Sequence, residues 1–163
     1  MELSLGCGLS LRRAEPSDLQ YVADCIRESL TASVTDEEAE LADLWADTTV
    51  AVAMDSLSNR RMEDEVFILA DGTDCKGMLW MGVSRDQYTA EPTGYLLGIN
   101  VSKELRGRGI GKELMHAAET WCLEKGLCSM QLNVSQNNVP AYCMYKSSGY
   151  SPRSVVMTKT LKR

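Results

Sequence analysis

The chain has 163 residues, a formal net charge of −6, and 25% charged and 44% hydrophobic residues. That length and balance fit one globular domain over residues 1–163, while the acidity argues against general nucleic-acid binding. No uncharged run is long enough to span a membrane, and in MELSLGCGLSLRR the arginines follow the apolar part, the reverse of a secretory signal, so a cytoplasmic protein is expected.

LSLRR (Leu9–Arg13) alternates apolar and polar and predicts a first strand. Pro16 is a favoured first helical residue, and Leu19, Val22, Ala23, Ile26 and Leu30 fall on one helical face. Thr35-Asp36-Glu37-Glu38 reads as a capping box for a second helix, with Leu41, Leu44 and Trp45 as its inner face and an end near Ala53. EVFILADG is a short apolar run closed by Asp71-Gly72, a hairpin signal, and KGMLWMGVSR is its partner. After the longer turn DQYTAEPTG, TGYLLGINV is apolar on both faces and reads as a central strand. Ile110, Leu114, Ala117, Ala118 and Trp121 then repeat at helical spacing, with Gly126 closing that helix. SMQLNV is a strand, Pro140 to about Ser147 a short helix ended by Gly149, and SVVMTKTL a final strand. The order predicts a mixed α/β fold, antiparallel at first, with one parallel pair formed by the strand–helix–strand unit at 95–134.

Six cysteines are scattered without a C-x-x-C pair, and His116 is the one histidine, so no metal site is expected and the cysteines read as small buried hydrophobes. Asp36 to Glu65 holds ten acidic and two basic residues. This is either a solvated helix face or a surface that steers a cationic partner.

The stretch LRGRGIGKELM (Leu105–Met115) sets three glycines at alternate positions between a central strand and a helix. A helix start exposes backbone N–H groups without internal partners and carries partial positive charge, which makes it an anion site. Gly107, Gly109 and Gly111 let an anion approach the main chain, and Arg106 and Arg108 add charge. A Walker loop needs Gly where Arg106 stands and Ser or Thr where Glu113 stands, so that motif fails. A dinucleotide fingerprint fails as well, because the third glycine comes one residue early and the preceding strands look like hairpins.

Arg106-Gly107-Arg108-Gly109-Ile110-Gly111 matches R-x-x-G-x-G and resembles the pyrophosphate-binding signature of the GNAT superfamily of N-acetyltransferases. Downstream, Asn138 to Tyr150 reads N-x-x-A-x-x-x-Y-x-x-x-G-[FY], similar to the helix that follows the fifth strand of that superfamily. The two motifs occur in the expected order, one helix and one strand apart. The resemblance implies a mostly antiparallel sheet of about six to seven strands flanked by about four helices. It implies acetyl-CoA as co-substrate, direct transfer to a primary amine, and a homodimer through late strands.

The resemblance also implies site roles. Main-chain groups of Leu97, Gly98, Ile99 and Val101, on a bulged strand, would hold the pantetheine arm and the thioester oxygen. A glycine inside a strand independently marks a bulge or a close approach. Arg106, Gly107, Arg108, Gly109, Ile110, Gly111 and Lys112 would take the pyrophosphate, and Asn133 and Asn138 would contact the cofactor. Tyr145 would be the general acid, since a phenol near its ordinary pKa of ~10 is protonated at neutral pH. The strand from Thr93 to Val101 has no carboxylate, leaving Glu91 or ordered water to take the amine proton. His116 reads as a surface residue and Cys143 as packing. A cationic acceptor is expected: a polyamine, an aminoglycoside-like molecule, or a lysine or N-terminal amine of a protein. Two alternatives stay open, the same fold using another acyl-CoA and a non-catalytic acyl-CoA-binding sensor.

Overall fold

The computed structural model describes residues 3–5, 8–34, 42–59 and 64–159. Among the described residues the frame is one sheet of six strands lying side by side in chain order. They are β1 (Leu3–Ser4), β2 (Ser10–Arg13), β3 (Glu65–Asp71), β4 (Asp74–Arg85), β5 (Pro92–Val101) and β6 (Met130–Leu132). All neighbouring pairs are antiparallel except β5 and β6, the parallel pair expected from the strand–helix–strand unit. Four α-helices among the described residues flank the sheet: α1 (Leu19–Thr31), α2 (Ala42–Asn59), α3 (Ile110–Glu124) and α4 (Val139–Ser147). Among the described residues no helix is long and apolar enough to cross a membrane.

β3 and β4 are apolar at successive positions because they serve two cores at once. Side chains of a strand alternate between faces. Val66, Ile68, Met78 and Trp80 pack with Val22, Cys25 and Ile26 of α1 on one face. Phe67, Leu69, Leu79 and Met81 pack with Leu114, Ala118 and Trp121 of α3 on the other. Gly72 takes φ +58 in the turn between the two strands, which is why a glycine follows Asp71. Gly126, at φ +73, ends α3 in the same way.

The structure corrects several expectations. α2 runs to Asn59 rather than fading at Ala53, and its inward residues differ from those read off the sequence. Leu44 is 64% and Trp45 37% exposed, whereas Ala46 is buried and Val50 and Met54 pack against the α1 core. These inward residues are spaced by four, and Arg27 of α1 pairs with Asp47 of α2 at 2.8 Å. The capping box Thr35–Glu38 and Leu41 lie outside the described residues. β6 is only three residues long. Among the described residues the expected final strand is not formed: Ser151–Lys159 have no secondary structure and are exposed. Of the cysteines, Cys25 and Cys122 are buried, but Cys128 and Cys143 are exposed, so Cys143 is not packing.

An ion pair between half-buried Arg12 and buried Asp18 anchors the start of α1 to the sheet. The Asp18 carboxylate accepts hydrogen bonds from Arg12 Nη1 at 2.6 Å and Nη2 at 2.9 Å, and from the Glu15 backbone N–H at 2.8 Å. The Arg12 guanidinium holds the Asp18 carboxyl down at about 2. A folded-state pKa below the unfolded value stabilises the native state at higher pH by roughly 2 kcal/mol. That contribution is complete above about pH 5 and disappears as pH falls through about 2. Asp18→Asn is therefore expected to lose about that much stability at pH 7 and to show a shallower acid limb in urea unfolding between pH 5 and 2. Parallel acid limbs for the two proteins would mean that the pair carries no such weight.

Candidate functional site

β5 and β6 pair only at Gly94–Met130, Tyr95–Gln131 and Leu96–Leu132, after which β5 continues to Val101 paired with β4 alone. The two strands therefore part and leave one edge of β5 open. Against β4, Gly98 faces Trp80 and Leu96 faces Met81, so Leu97 is the extra residue of a β-bulge. The bulge sits beside the strand glycine that signalled it. A Cβ at Gly98 would lie 3.1 Å from Met78 Cε, so this position is also a close approach. The Ser102 N–H donates to Lys76 O at 2.8 Å. By the alternation of an antiparallel ladder, the main-chain groups of Val101 and Ile99 then turn away from β4, toward the opening.

The other end of the opening is tied shut. Thr93 Oγ1 donates to Ser129 O at 3.0 Å, Ser129 Oγ donates to Thr93 Oγ1 at 2.8 Å, and the Gly94 N–H donates to Ser129 O at 2.9 Å. Buried Asp86 accepts from the backbone N–H groups of Tyr88 and Thr89, each at 2.9 Å, and from the side chains of Gln131 and Arg153. The Thr89 N–H and the Arg153 guanidinium hold its carboxyl far below the usual carboxylate range. A Cβ at Gly94 would come 2.2 Å from Cys122 Sγ, so α3 lies against β5 at this vertex.

The three alternate glycines after β5 have two different jobs. Gly107 and Gly109 adopt φ +77 and +86, and a Cβ on either would meet nothing within 4 Å. Their backbone conformation demands glycine, and the space in front of them is open. Gly111 has a different constraint, because its Cβ would lie 2.6 Å from Met144 Sδ, where α4 packs on the start of α3. The N–H groups of Lys112 and Glu113 donate to Gly109 O at 2.9 and 3.2 Å. Those of Gly107 through Gly111 meet no backbone acceptor among the described residues, and Gly109, the residue before α3, offers no side-chain cap. Gly107, Arg108 and Gly109 are exposed, whereas Ile110 is buried and Gly111 half-buried. This is the geometry that suits linked phosphates: adjacent unpaired N–H groups at a helix start, reached without a Cβ in the way.

The cations around the turn divide. Arg108 and Lys112 are exposed and form no ion pair among the described residues. Arg106, expected to serve the anion, is committed elsewhere. Its Nη2 donates to Glu28 at 2.8 Å and its Nε to Val101 O at 2.8 Å, which also removes that carbonyl from those the opening can offer. Glu28 accepts a further bond from Asn100 Nδ2 at 3.0 Å. Asn100, then Arg106, lowers the Glu28 carboxyl. Arg106 thus braces the turn to α1 and to the end of β5. Sequence reasoning missed Glu28 and Asn100. The available signal was Asn100 itself, a buried polar side chain in the otherwise apolar run YLLGINV.

On α4, Asn138 Oδ1 accepts from the Ala141 N–H at 3.3 Å, so this side chain caps the helix. Asn133 is exposed just past β6. Tyr145 is 7% exposed and belongs to the core that includes Leu96, Ile110 and Leu114, with Ile99 and Leu132 at its margin. Its ring meets Tyr150 edge-on with centroids 6.2 Å apart. Its hydroxyl has no hydrogen-bond partner among the described residues, and burial pushes the phenol up to about 12. His116 lies on the outer side of α3, Nδ1 4.0 Å from Glu119 and its side chain 84% exposed, which agrees with a surface role. Glu91 is exposed at the closed end, six residues before Leu97. At the rise of a strand that is about 20 Å, too far to take a proton at the bulge.

The chain belongs to the GNAT acetyltransferase family, whose model, described as "Acetyltransferase (GNAT) family", matches residues 23–150. No curated protein matches the chain. Among solved structures, a candidate acetyl transferase from Pyrococcus furiosus is 24% identical, with a TM-score of 0.76 over 94% of this chain and 99% of that one. The structure of AAC(6')-Iy with the bisubstrate analogue CoA-S-monomethyl-acetylneamine is 20% identical, with a TM-score of 0.64 over 95% and 99% of the two chains. The aminoglycoside antibiotic 6'-N-acetyltransferase AAC(6')-IG from Acinetobacter haemolyticus is 19% identical, with a TM-score of 0.65 over 94% and 98%. At these identities the structural likeness carries the fold.

Proposed function

We propose that this chain is an N-acetyltransferase that moves the acetyl group of acetyl-CoA directly to a primary amine on a cationic acceptor. The observation that carries this reading is a juxtaposition. An exposed turn leading into a helix start, with the N–H groups of Gly107 to Gly111 unpaired among the described residues, follows a bulged strand whose edge is open, and a buried phenol lies in the adjoining core. Acetyl-CoA, when bound, supplies an acetyl thioester. The N–H groups of the turn would bind its diphosphate, with Arg108 and Lys112 adding charge. The open main-chain edge at Leu97 and Ile99 would orient its arm along the cleft. Tyr145 would give its proton to the departing sulfur and recover one from the amine nitrogen through water. No carboxylate stands on Thr93–Val101, and Glu91 is out of reach, so water is the route for that proton.

The acceptor class rests on charge. The net charge is −6, and ten of the acidic residues fall between Asp36 and Glu65. A field of that sign draws in polycations. Of the two AAC(6') structures named above, one is named for aminoglycoside acetylation and the other carries an acetylneamine analogue, which supports the same class.

The test is thiol release from acetyl-CoA across a panel of amines: a polyamine, an aminoglycoside and a lysine peptide. Turnover is expected with at least one of them, with a KM for that amine that rises with salt more steeply than the KM for acetyl-CoA. Cofactor binding without turnover on any amine would favour a sensor. Faster turnover with succinyl- or propionyl-CoA would change the acyl group. Absence of acetyl-CoA binding would sink the reading.

A further inference from the structure

β3 and β4 pair Val66 with Trp80 and Glu65 with Met81, so the same register sets Asp64 opposite Gly82 just before β3 begins. β4 and β5 in turn pair Gly82 with Tyr95. Val66, Ile68, Met78 and Trp80 mark one face of the sheet as the one that carries α1. By alternation Asp64, Gly82 and Tyr95 share that face. A row thus crosses from β3 to β5: a carboxylate, a position without a side chain, and a phenol.

The gap in the middle of the row is entered from both sides. A Cβ at Gly82 would lie 2.5 Å from Asp64 Oδ1 and 3.0 Å from Leu97 Cδ1. Gly82 does not take a positive φ, so the fold uses its missing side chain rather than its conformation. The Asp64 carboxylate therefore leans over β4 to the spot that the Leu97 side chain also touches, and Leu97 is the extra residue of the bulge. β5 carries no carboxylate of its own from Thr93 to Val101, yet one comes to its bulge from two strands away.

The spot suits a particular kind of ligand. Leu97 is 38% exposed and Tyr95 half-buried, so it can be reached from outside. Asp64 is half-buried, with Oδ1 out of water. A partly desolvated carboxylate attracts a cation more strongly than one on the open surface. Aliphatic Leu97 and aromatic Tyr95 beside it complement the methylenes and the charge of an alkylammonium group.

We propose that Asp64 holds a second cationic group of the acceptor while the reacting nitrogen sits at the bulge, so that this residue selects diamines over monoamines. The place of the reacting nitrogen rests on the acetyl-transfer reading; the place of the second group rests on Asp64, Gly82 and Leu97. β3 and β5 lie two strand spacings apart, about 10 Å, and the lean of the carboxylate over Gly82 shortens the span. A short alkyl diamine bridges it. The ammonium at Asp64 keeps its proton, so Asp64 binds and orients the acceptor and takes no part in the proton transfer.

1,4-Diaminobutane is expected to be acetylated with a kcat/KM roughly tenfold or more above that of pentylamine, whose methyl group stands in for the second nitrogen. Asp64→Asn should bring the two amines within about twofold of each other, with kcat/KM for pentylamine and the affinity for acetyl-CoA unchanged. Gly82→Ala keeps the carboxylate, but its Cβ would push Asp64 Oδ1 and Leu97 Cδ1 aside. It should narrow the ratio as well, and it serves if Asp64→Asn does not fold. The proposal is overturned, with acetyl transfer left standing, by a ratio near one in the unaltered chain or by an unchanged ratio in folded Asp64→Asn. If no amine is acetylated, the acetyl-transfer reading falls, and calorimetric titration with 1,4-diaminobutane decides for Asp64 alone. Binding that Asp64→Asn loses supports the site, whereas no binding, or equal binding by both proteins, overturns it.

Discussion

Tyr145→Phe is expected to lower kcat by about 10²- to 10³-fold while leaving the affinity for acetyl-CoA within about twofold, a split of under 0.5 kcal/mol in binding. The substitution removes one oxygen and little else. The hydroxyl bonds to no described residue, and the ring keeps its place among Leu96, Ile110 and Leu114 and its edge-on contact with Tyr150. Packing, and with it the cleft, should be preserved, whereas Tyr145→Ala would open a cavity at a cost of about 3–5 kcal/mol and confuse the result. What is lost is a proton held ready for a departing thiolate. Burial pushes the phenol up to about 12, so it stays protonated throughout an ordinary assay range. It should add no alkaline limb of its own below about pH 11. Steady-state kinetics beside calorimetric titration would read both halves of the split. An unchanged kcat in Tyr145→Phe would remove the phenol from the chemistry and leave it a core aromatic.

How far the sequence foretold this site depends on how local each feature is. The Asp71-Gly72 turn, the helix over Ile110–Glu124 and the short α4 between Pro140 and Gly149 were legible because periodicity and turn chemistry act within a few residues. The bulge was legible through Gly98, although which residue is extra is set by the pairing with β4 and had to be seen. α2 misled because Ala42–Asn59 is rich in Ala, Val and Thr and offers no clear stripe, so which face turned inward depended on how α1 approached. The Glu28–Asn100 and Glu28–Arg106 bonds join residues 72 and 78 apart in the chain, and the Arg153–Asp86 bond spans 67. No local pattern encodes such partners. The last strand failed for a related reason: SVVMTKTL has the composition of a strand, but whether it pairs depends on where the chain runs after Arg153, which composition does not encode.

Gly109→Asp is expected to weaken acetyl-CoA binding by 100-fold or more, which at about 1.4 kcal/mol per tenfold means a loss of at least about 2.8 kcal/mol. The fold should survive. A Cβ at Gly109 meets nothing within 4 Å, so no neighbour must move. The strain of a side chain at φ +86 costs about 1–2 kcal/mol, and Asp and Asn are among the residues that tolerate that region best. Binding suffers for two reasons. The new carboxylate fills the space in front of the N–H groups of the turn, where it can accept their hydrogen bonds itself. It also sets a negative charge against the diphosphate, a repulsion of about 4 kcal/mol per charge pair at 4 Å in a partly screened site. Gly109→Asn separates the two, since it has the same shape without the charge. The expected order of affinity is Gly109, then Asn, then Asp, with added salt recovering little of the difference because the charges meet well inside a Debye length of about 8 Å. Unchanged titration curves for Gly109→Asp would show that the turn does not face the phosphates. The N–H groups of residues 107–111, unpaired among the described residues, would then need another explanation.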